Sequence, residues 1–114
     1  MLRLLLLCAV AVVFAPPGVA GEPKTKILLI GRDNDHPYAT HEYMFDCNLL
    51  AMCLKQTPGV ETIVSNGWPK NADTLKDVKA IVFYTRNGGN VLFDPFNKEQ
   101  AEKLLKNGVG LTAI

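Results

Sequence analysis

Three stretches of this chain run apolar without alternation: Lys26-Ile27-Leu28-Leu29-Ile30, closed by Gly31, then Lys79 to Thr85 (KAIVFYT), then Val109 to Ile114 (VGLTAI). A strand with one wet face alternates apolar and polar residues. A strand covered on both faces does not, and such double cover is the mark of a parallel sheet flanked by helices. This pattern confines the chain to few architectures before any other residue is considered.

The segments between these runs supply the helices. Thr40 is placed to cap a helix from His41 to about Gln56, in which Met44, Cys47, Leu50, Ala51 and Leu54 recur at three- and four-residue spacing. Pro58 and Gly59 end it. Val60 to Val64 (VETIV) is a second strand, and its charge places it nearer a sheet edge than the strand at Lys79 to Thr85. A short helical turn is expected around Asp73 to Lys76. Gly88 and Gly89 mark a flexible or tightly turned loop. A further helix begins at Asn97, with Phe96 stapling against Ala101, Gln100 in the reciprocal capping position and Gly108 just past its end. Strands alternating with helices in this way call for right-handed crossovers and a doubly wound parallel α/β sheet. The last strand lacks a following helix, so the chain reads as a domain truncated after its fourth strand.

Ahead of the first strand, Arg3 and the eleven apolar residues Leu4 to Phe14 have the form of a secretion signal, being well short of the roughly 20 residues that span a bilayer as a helix. Pro16, Pro17 and Gly18 break that segment, and Gly18-Val19-Ala20 places small residues for cleavage after Ala20. Residues 1–20 are thus expected to be a signal peptide, and the protein exported to a periplasmic or extracellular space with no stable membrane span after cleavage. Cys8 sits inside the apolar run behind Leu7, which is no lipid-attachment pattern. Cleavage removes Arg3, so that 11 Lys+Arg face 11 Asp+Glu. Without a basic stripe there is little electrostatic support for a nucleic-acid partner. Cys47 and Cys53, six residues apart on one helix, are about 9 Å apart along its axis, too far for a mutual disulfide. They are expected to be buried.

In parallel sheets of this kind ligands bind beyond the carboxyl ends of the strands, where the strand order reverses. The loops Gly31 to Thr40 and Arg86 to Phe96 are therefore the candidate site. The first loop and the residues after it are dense in polar groups: Arg32, Asp33, Asn34, Asp35, His36, His41 and Glu42. His36 beside Asp35 suits a general base or a metal ligand, or simply organises its loop; His41 suits a ligand contact or a cap. A divalent metal held by the two histidines and a nearby carboxylate is chemically reasonable, although the spacing matches no standard metal motif, and no other cofactor is evident. Gly88 and Gly89 are candidates to offer backbone N–H groups to an anion or sugar, with Asn87 and Asn90 to hydrogen-bond hydroxyls and Tyr84 and Phe93 as stacking surfaces. Glycine patterns for dinucleotides and for nucleoside triphosphates are absent, as is a Gly-x-Ser-x-Gly nucleophile elbow.

Taken together, KILLIGRDNDHPYATHEYMFDCNLLAMCLKQTPGVETIVSNGWP, KAIVFYTRNGGN and KLLKNGVGLTAI resemble the N-terminal part of the ThuA-like domain, the trehalose-utilisation family within the class I glutamine-amidotransferase-like superfamily. The resemblance covers Lys26 to Ile114, and residues 21–114 are read as that part of the domain. It implies a flavodoxin-like three-layer sandwich with a pocket formed by His36, His41 and Glu42 and the Gly88-Gly89 loop nearby. It also implies a role in carbohydrate metabolism without the amidotransferase Cys-His-Glu set, and a further pocket histidine just past the position of Ile114. Two functions follow as expectations: an exported carbohydrate-processing protein acting on a small polar ligand such as a sugar, or a non-catalytic sugar-binding or interaction module of the same fold.

Overall fold

The computed structural model describes residues 24–114. The expected signal peptide, its cut after Ala20 and Cys8 lie outside the described residues. Four strands, β1 (Thr25–Gly31), β2 (Val60–Asn66), β3 (Val78–Phe83) and β4 (Gly110–Ala113), form one parallel sheet in the order β2-β1-β3-β4. Helix α1 (Tyr43–Leu54) joins β1 to β2. A single 3-10 turn (Ala72–Leu75) joins β2 to β3, and α2 (Gly88–Leu92) and α3 (Lys98–Lys106) lie between β3 and β4. This is a doubly wound α/β fold of the flavodoxin-like kind, with the expected reversal of strand order between β1 and β3.

β1 shows why the fold takes three layers. Leu28, Leu29 and Ile30 are each completely buried, but they point in opposite directions. Leu28 and Ile30 join Trp68, Leu75, Val78, Ile81, Phe83, Leu92 and Ala101 under the α2–α3 layer. Leu29 instead packs with Cys47 and Ala51 of α1. Period-two geometry thus sends one strand's side chains into two separate cores. β2 stands at one border of the sheet, as its charge predicted, and β3 lies inside. All four residues of β4 are exposed, so its apolar sequence reflects pairing with β3 more than burial among the described residues.

Several local expectations are corrected. α1 begins at Tyr43, with Glu42 at the N-cap position, because the Thr40 hydroxyl donates to the Pro37 carbonyl and stays in the preceding turn. Cys47 is buried but Cys53 is exposed: six residues at about 100° each carry Cys53 well off the buried stripe. Gly88 and Gly89 form the first turn of α2, not an open loop. At the start of α3, Phe96 is 92% exposed and staples nothing. Asn97 donates its side-chain amide to the Val91 carbonyl (2.8 Å), while Gln100 accepts the indole N–H of Trp68 (2.8 Å). A contact six residues back along the chain has taken Asn97 away from capping, and one 32 residues away has taken Gln100. Gly108 does close α3, at φ +83°, where the Val109 N–H returns to the Leu104 carbonyl at 3.1 Å.

Leu29→Ala is expected to cost about 2–5 kcal/mol in urea denaturation, since it opens a cavity between β1 and α1. Phe96→Ala should fall within about 0.5 kcal/mol of the parent. A comparable loss in both variants would contradict this assignment of the core.

Candidate functional site

The carboxyl ends of β1, β2 and β3 meet at one edge of the sheet, and the loops leaving them build two adjoining polar zones. Gly31 makes the first possible. A Cβ at that position would stand 3.0 Å from the Met44 sulfur, 3.1 Å from the Tyr43 carbonyl oxygen and 3.2 Å from the Cys47 sulfur, so a larger residue would have to push the first turn of α1 back from the end of β1 by a few tenths of an ångström. The chain between them is tied down on several sides. Gly67 N–H donates to the Gly31 carbonyl (2.8 Å), and the Asn66 amide donates to Asp33 Oδ1 (2.7 Å). Glu42 accepts from the Asn34 side chain (2.7 Å) and from the Ala39 N–H (3.0 Å). The second bond helps hold Ala39 at φ +64°, a left-handed conformation unfavourable for any residue with a Cβ.

Within this braced loop, Asp35, His36 and His41 converge. His41 Nδ1 lies 3.1 Å and His36 Nδ1 3.3 Å from the same carboxylate oxygen, Asp35 Oδ1. The two imidazole rings stand 4.3 Å apart, tilted by 32°. The Tyr43 hydroxyl reaches the group from below, 3.2 Å from His41 Nδ1 and 3.5 Å from Asp35 Oδ2, and Tyr84 packs edge-on against Tyr43. Partial desolvation raises the Asp35 carboxyl, but hydrogen bonds from His41 and Tyr43 and the charge of both histidines outweigh it and hold the group below its ordinary value. One atom from each of Asp35, His36 and His41 lies within 4.8 Å of the others, and among the described residues these three could hold a metal ion.

The second zone is a cleft of about 440 Å³ on the α2–α3 side of the same edge. Arg32 and Asp33 line it from β1, Asn66 and Trp68 from β2, and Asn87, Asn90, Asp94 and Asn97 from the segment after β3. Four carboxamides, two carboxylates and a guanidinium around an indole make a surface rich in both donors and acceptors.

The structure therefore gathers some of the sequence-derived candidates and separates others. Asp35, His36 and His41 belong to one cluster, with Glu42 beside it as the brace of the loop. Gly88 and Gly89 lie elsewhere, at a smaller, mainly apolar cavity of about 310 Å³ with Phe83, Leu92 and Leu111. Asn87 and Asn90 do face the polar cleft. Phe93 is exposed and outside its lining, and Tyr84 is taken up by Tyr43 and by Asp46, whose hydrogen bond raises the Tyr84 hydroxyl. Cys47 is unsuited to nucleophilic work, because burial, and after it the neighbouring Asp46, pushes its thiol upward and away from the reactive thiolate.

Sequence reading missed Tyr43, Asn66, Trp68 and Asn97, and did not single out Asp94 within the candidate loop Arg86 to Phe96. Asn66 and Trp68 carried a usable signal, for Asn66 ends β2 and Trp68 lies just past it, where the same carboxyl-end rule applies. Tyr43 carried none, since a tyrosine in an apolar helix reads as core.

Comparison of the chain with protein-family profiles, with curated proteins and with solved structures finds no match in any of the three. Among the described residues, no helix is long and apolar enough to cross a membrane.

The Glu42 brace carries a pH dependence of definite sign. Asn34 first, and the Ala39 N–H second, hold its carboxyl below the ordinary 4.5. A folded value lowered in this way contributes stability that is complete above 4.5 and is lost as pH falls through the depressed folded value. The Ala39 amide resonance should accordingly titrate below pH 4.5 in the parent and lose that titration in Glu42→Gln. A resonance that titrates identically in both would place the brace elsewhere.

Proposed function

We propose that this protein is an exported, ThuA-like carbohydrate-handling domain that binds a small polyhydroxylated ligand, a sugar, at the carboxyl edge of its sheet. The observation that carries the reading is the cleft lined by Asn66, Asn87, Asn90 and Asn97 beside Asp33, Arg32 and Trp68. Vicinal hydroxyls each donate and accept, and carboxamides answer both roles from one side chain while carboxylates accept from the ligand's O–H groups. Trp68, which is only 9% exposed, gives the cleft an apolar boundary on its core side. A volume near 440 Å³ lies within the range of small-molecule sites. The resemblance of the sequence to the trehalose-utilisation family points toward the same ligand class, and the leader-like residues 1–20 support export.

Asp35 and His41 give this reading a chemical element as well as a binding one. A carboxylate at 3.1 Å orients His41 through Nδ1, the arrangement by which a carboxylate fixes the tautomer of an imidazole that moves protons through Nε2. On this reading the cleft holds the sugar and the Asp35-His41 pair serves it from the adjoining zone.

Trp68 is the single tryptophan of the chain, so its fluorescence reports on the cleft directly. Titration of the full chain with a panel of mono- and disaccharides should change that fluorescence saturably for at least one member. The double variant Asn66→Ala/Asn90→Ala should weaken that binding by at least about tenfold, the equivalent of one or two hydrogen bonds. The reading fails if no saccharide perturbs Trp68 and calorimetry with the same panel is flat.

A further inference from the structure

We propose that Asp35, His36 and His41 form a zinc-binding site with an open coordination position, an inference that does not rest on the asparagine-lined cleft and in which zinc takes the place of the Asp35–His41 hydrogen bond. Zinc holds imidazole nitrogens and carboxylate oxygens at about 2.0–2.2 Å, and in a tetrahedron this sets neighbouring ligand atoms about 3.3 Å apart. The separations found here are 3.1 Å between His41 Nδ1 and Asp35 Oδ1 and 3.3 Å between His36 Nδ1 and the same oxygen. These are hydrogen-bond contacts, so the three donor atoms are already gathered within 4.8 Å of one another, and zinc would displace the protons that now bridge them.

The donor set is selective in kind. Two neutral imidazoles and one carboxylate suit zinc, whereas magnesium and calcium take sites built mainly from oxygen. The loop is already organised for the task, since Asn66 and Gly67 tie down its beginning and Glu42 its end, so little ordering is left for binding to impose. The remaining Asp35 oxygen has an outer partner: the Tyr43 hydroxyl stands 3.5 Å from Oδ2, where it orients the carboxylate. His36 Nδ1 donates to the Asp35 backbone carbonyl oxygen at 2.5 Å, so binding through Nδ1 requires that proton to pass to the other ring nitrogen and this exposed ring to turn toward the metal. Three protein ligands leave a fourth tetrahedral position for water or a ligand oxygen, the arrangement of zinc sites that do chemistry rather than support a fold.

The sequence makes the test unusually clean, because His36 and His41 are the only histidines in the chain. Tag-free, chelator-treated full chain is titrated with Zn2+ by calorimetry, and the imidazole nitrogens are followed by long-range 1H–15N NMR. One zinc per chain is expected, with a large shift of Nδ1 in both rings. His41→Ala and Asp35→Ala should each weaken binding by at least about tenfold. Phe96→Ala, which alters an exposed residue away from the cluster, should bind as the parent does. Far-UV circular dichroism and urea midpoints establish that each variant is folded. The proposal is overturned if the folded parent binds no zinc, if binding survives both ligand substitutions, or if the metal leaves the two imidazoles unshifted.

Discussion

The complete burial of β1 on both of its faces is the constraint on which the rest of this molecule depends. Leu28 and Ile30 anchor the α2–α3 layer while Leu29, between them, anchors α1. Full burial of each such side chain is worth roughly 1.5–3 kcal/mol. A strand so used must have a partner on each edge, and β2 and β3 fill those places in parallel. That in turn creates the reversal of strand order beside which the polar loops gather.

Gly31 converts this packing into a site. As the last residue of β1, it lets α1 start almost in contact with the strand end, which places Tyr43 and leaves the eleven residues from Arg32 to Glu42 to close the path between them. Hydrogen bonds of Asn34, Asn66 and Glu42, not shortness, hold this path in place. Asp35, His36 and His41 consequently meet within a single loop, whereas the asparagine-rich cleft draws on all three strand ends. The two zones share an edge but are assembled by different means.

Much of this was legible in the sequence because it depends on local pattern. Unbroken apolar runs gave β1 and β3, three- and four-residue spacing gave the buried stripe of α1, and Gly108 gave the end of α3. The carboxyl-end rule led to the loop holding Asp35, His36 and His41. What escaped was decided by contacts distant in sequence. Gln100 carries the signature of a capping residue, yet it accepts the Trp68 indole N–H across 32 positions of chain. Thr40 looks like a cap but serves a turn of its own. Gly88 and Gly89 promise an open loop on intrinsic preference, and packing of Leu92 into the core under α2 overrides it. Asn66 and Trp68 read as a turn, for nothing local shows that the chain after β3 comes back to face them.

The central claim is that the carboxyl edge of β1, β2 and β3 is where this protein meets a small polar ligand. Backbone 1H–15N spectra recorded during a saccharide titration test it residue by residue. The account predicts shifts concentrated at Arg32 and Asp33, at Asn66 to Trp68 and from Asn87 to Asn97, with the opposite ends of the strands, Lys26, Glu61 and Lys79, unmoved. Shifts that cluster at those opposite ends, or on the outer face of α1, while the carboxyl edge stays silent would contradict it.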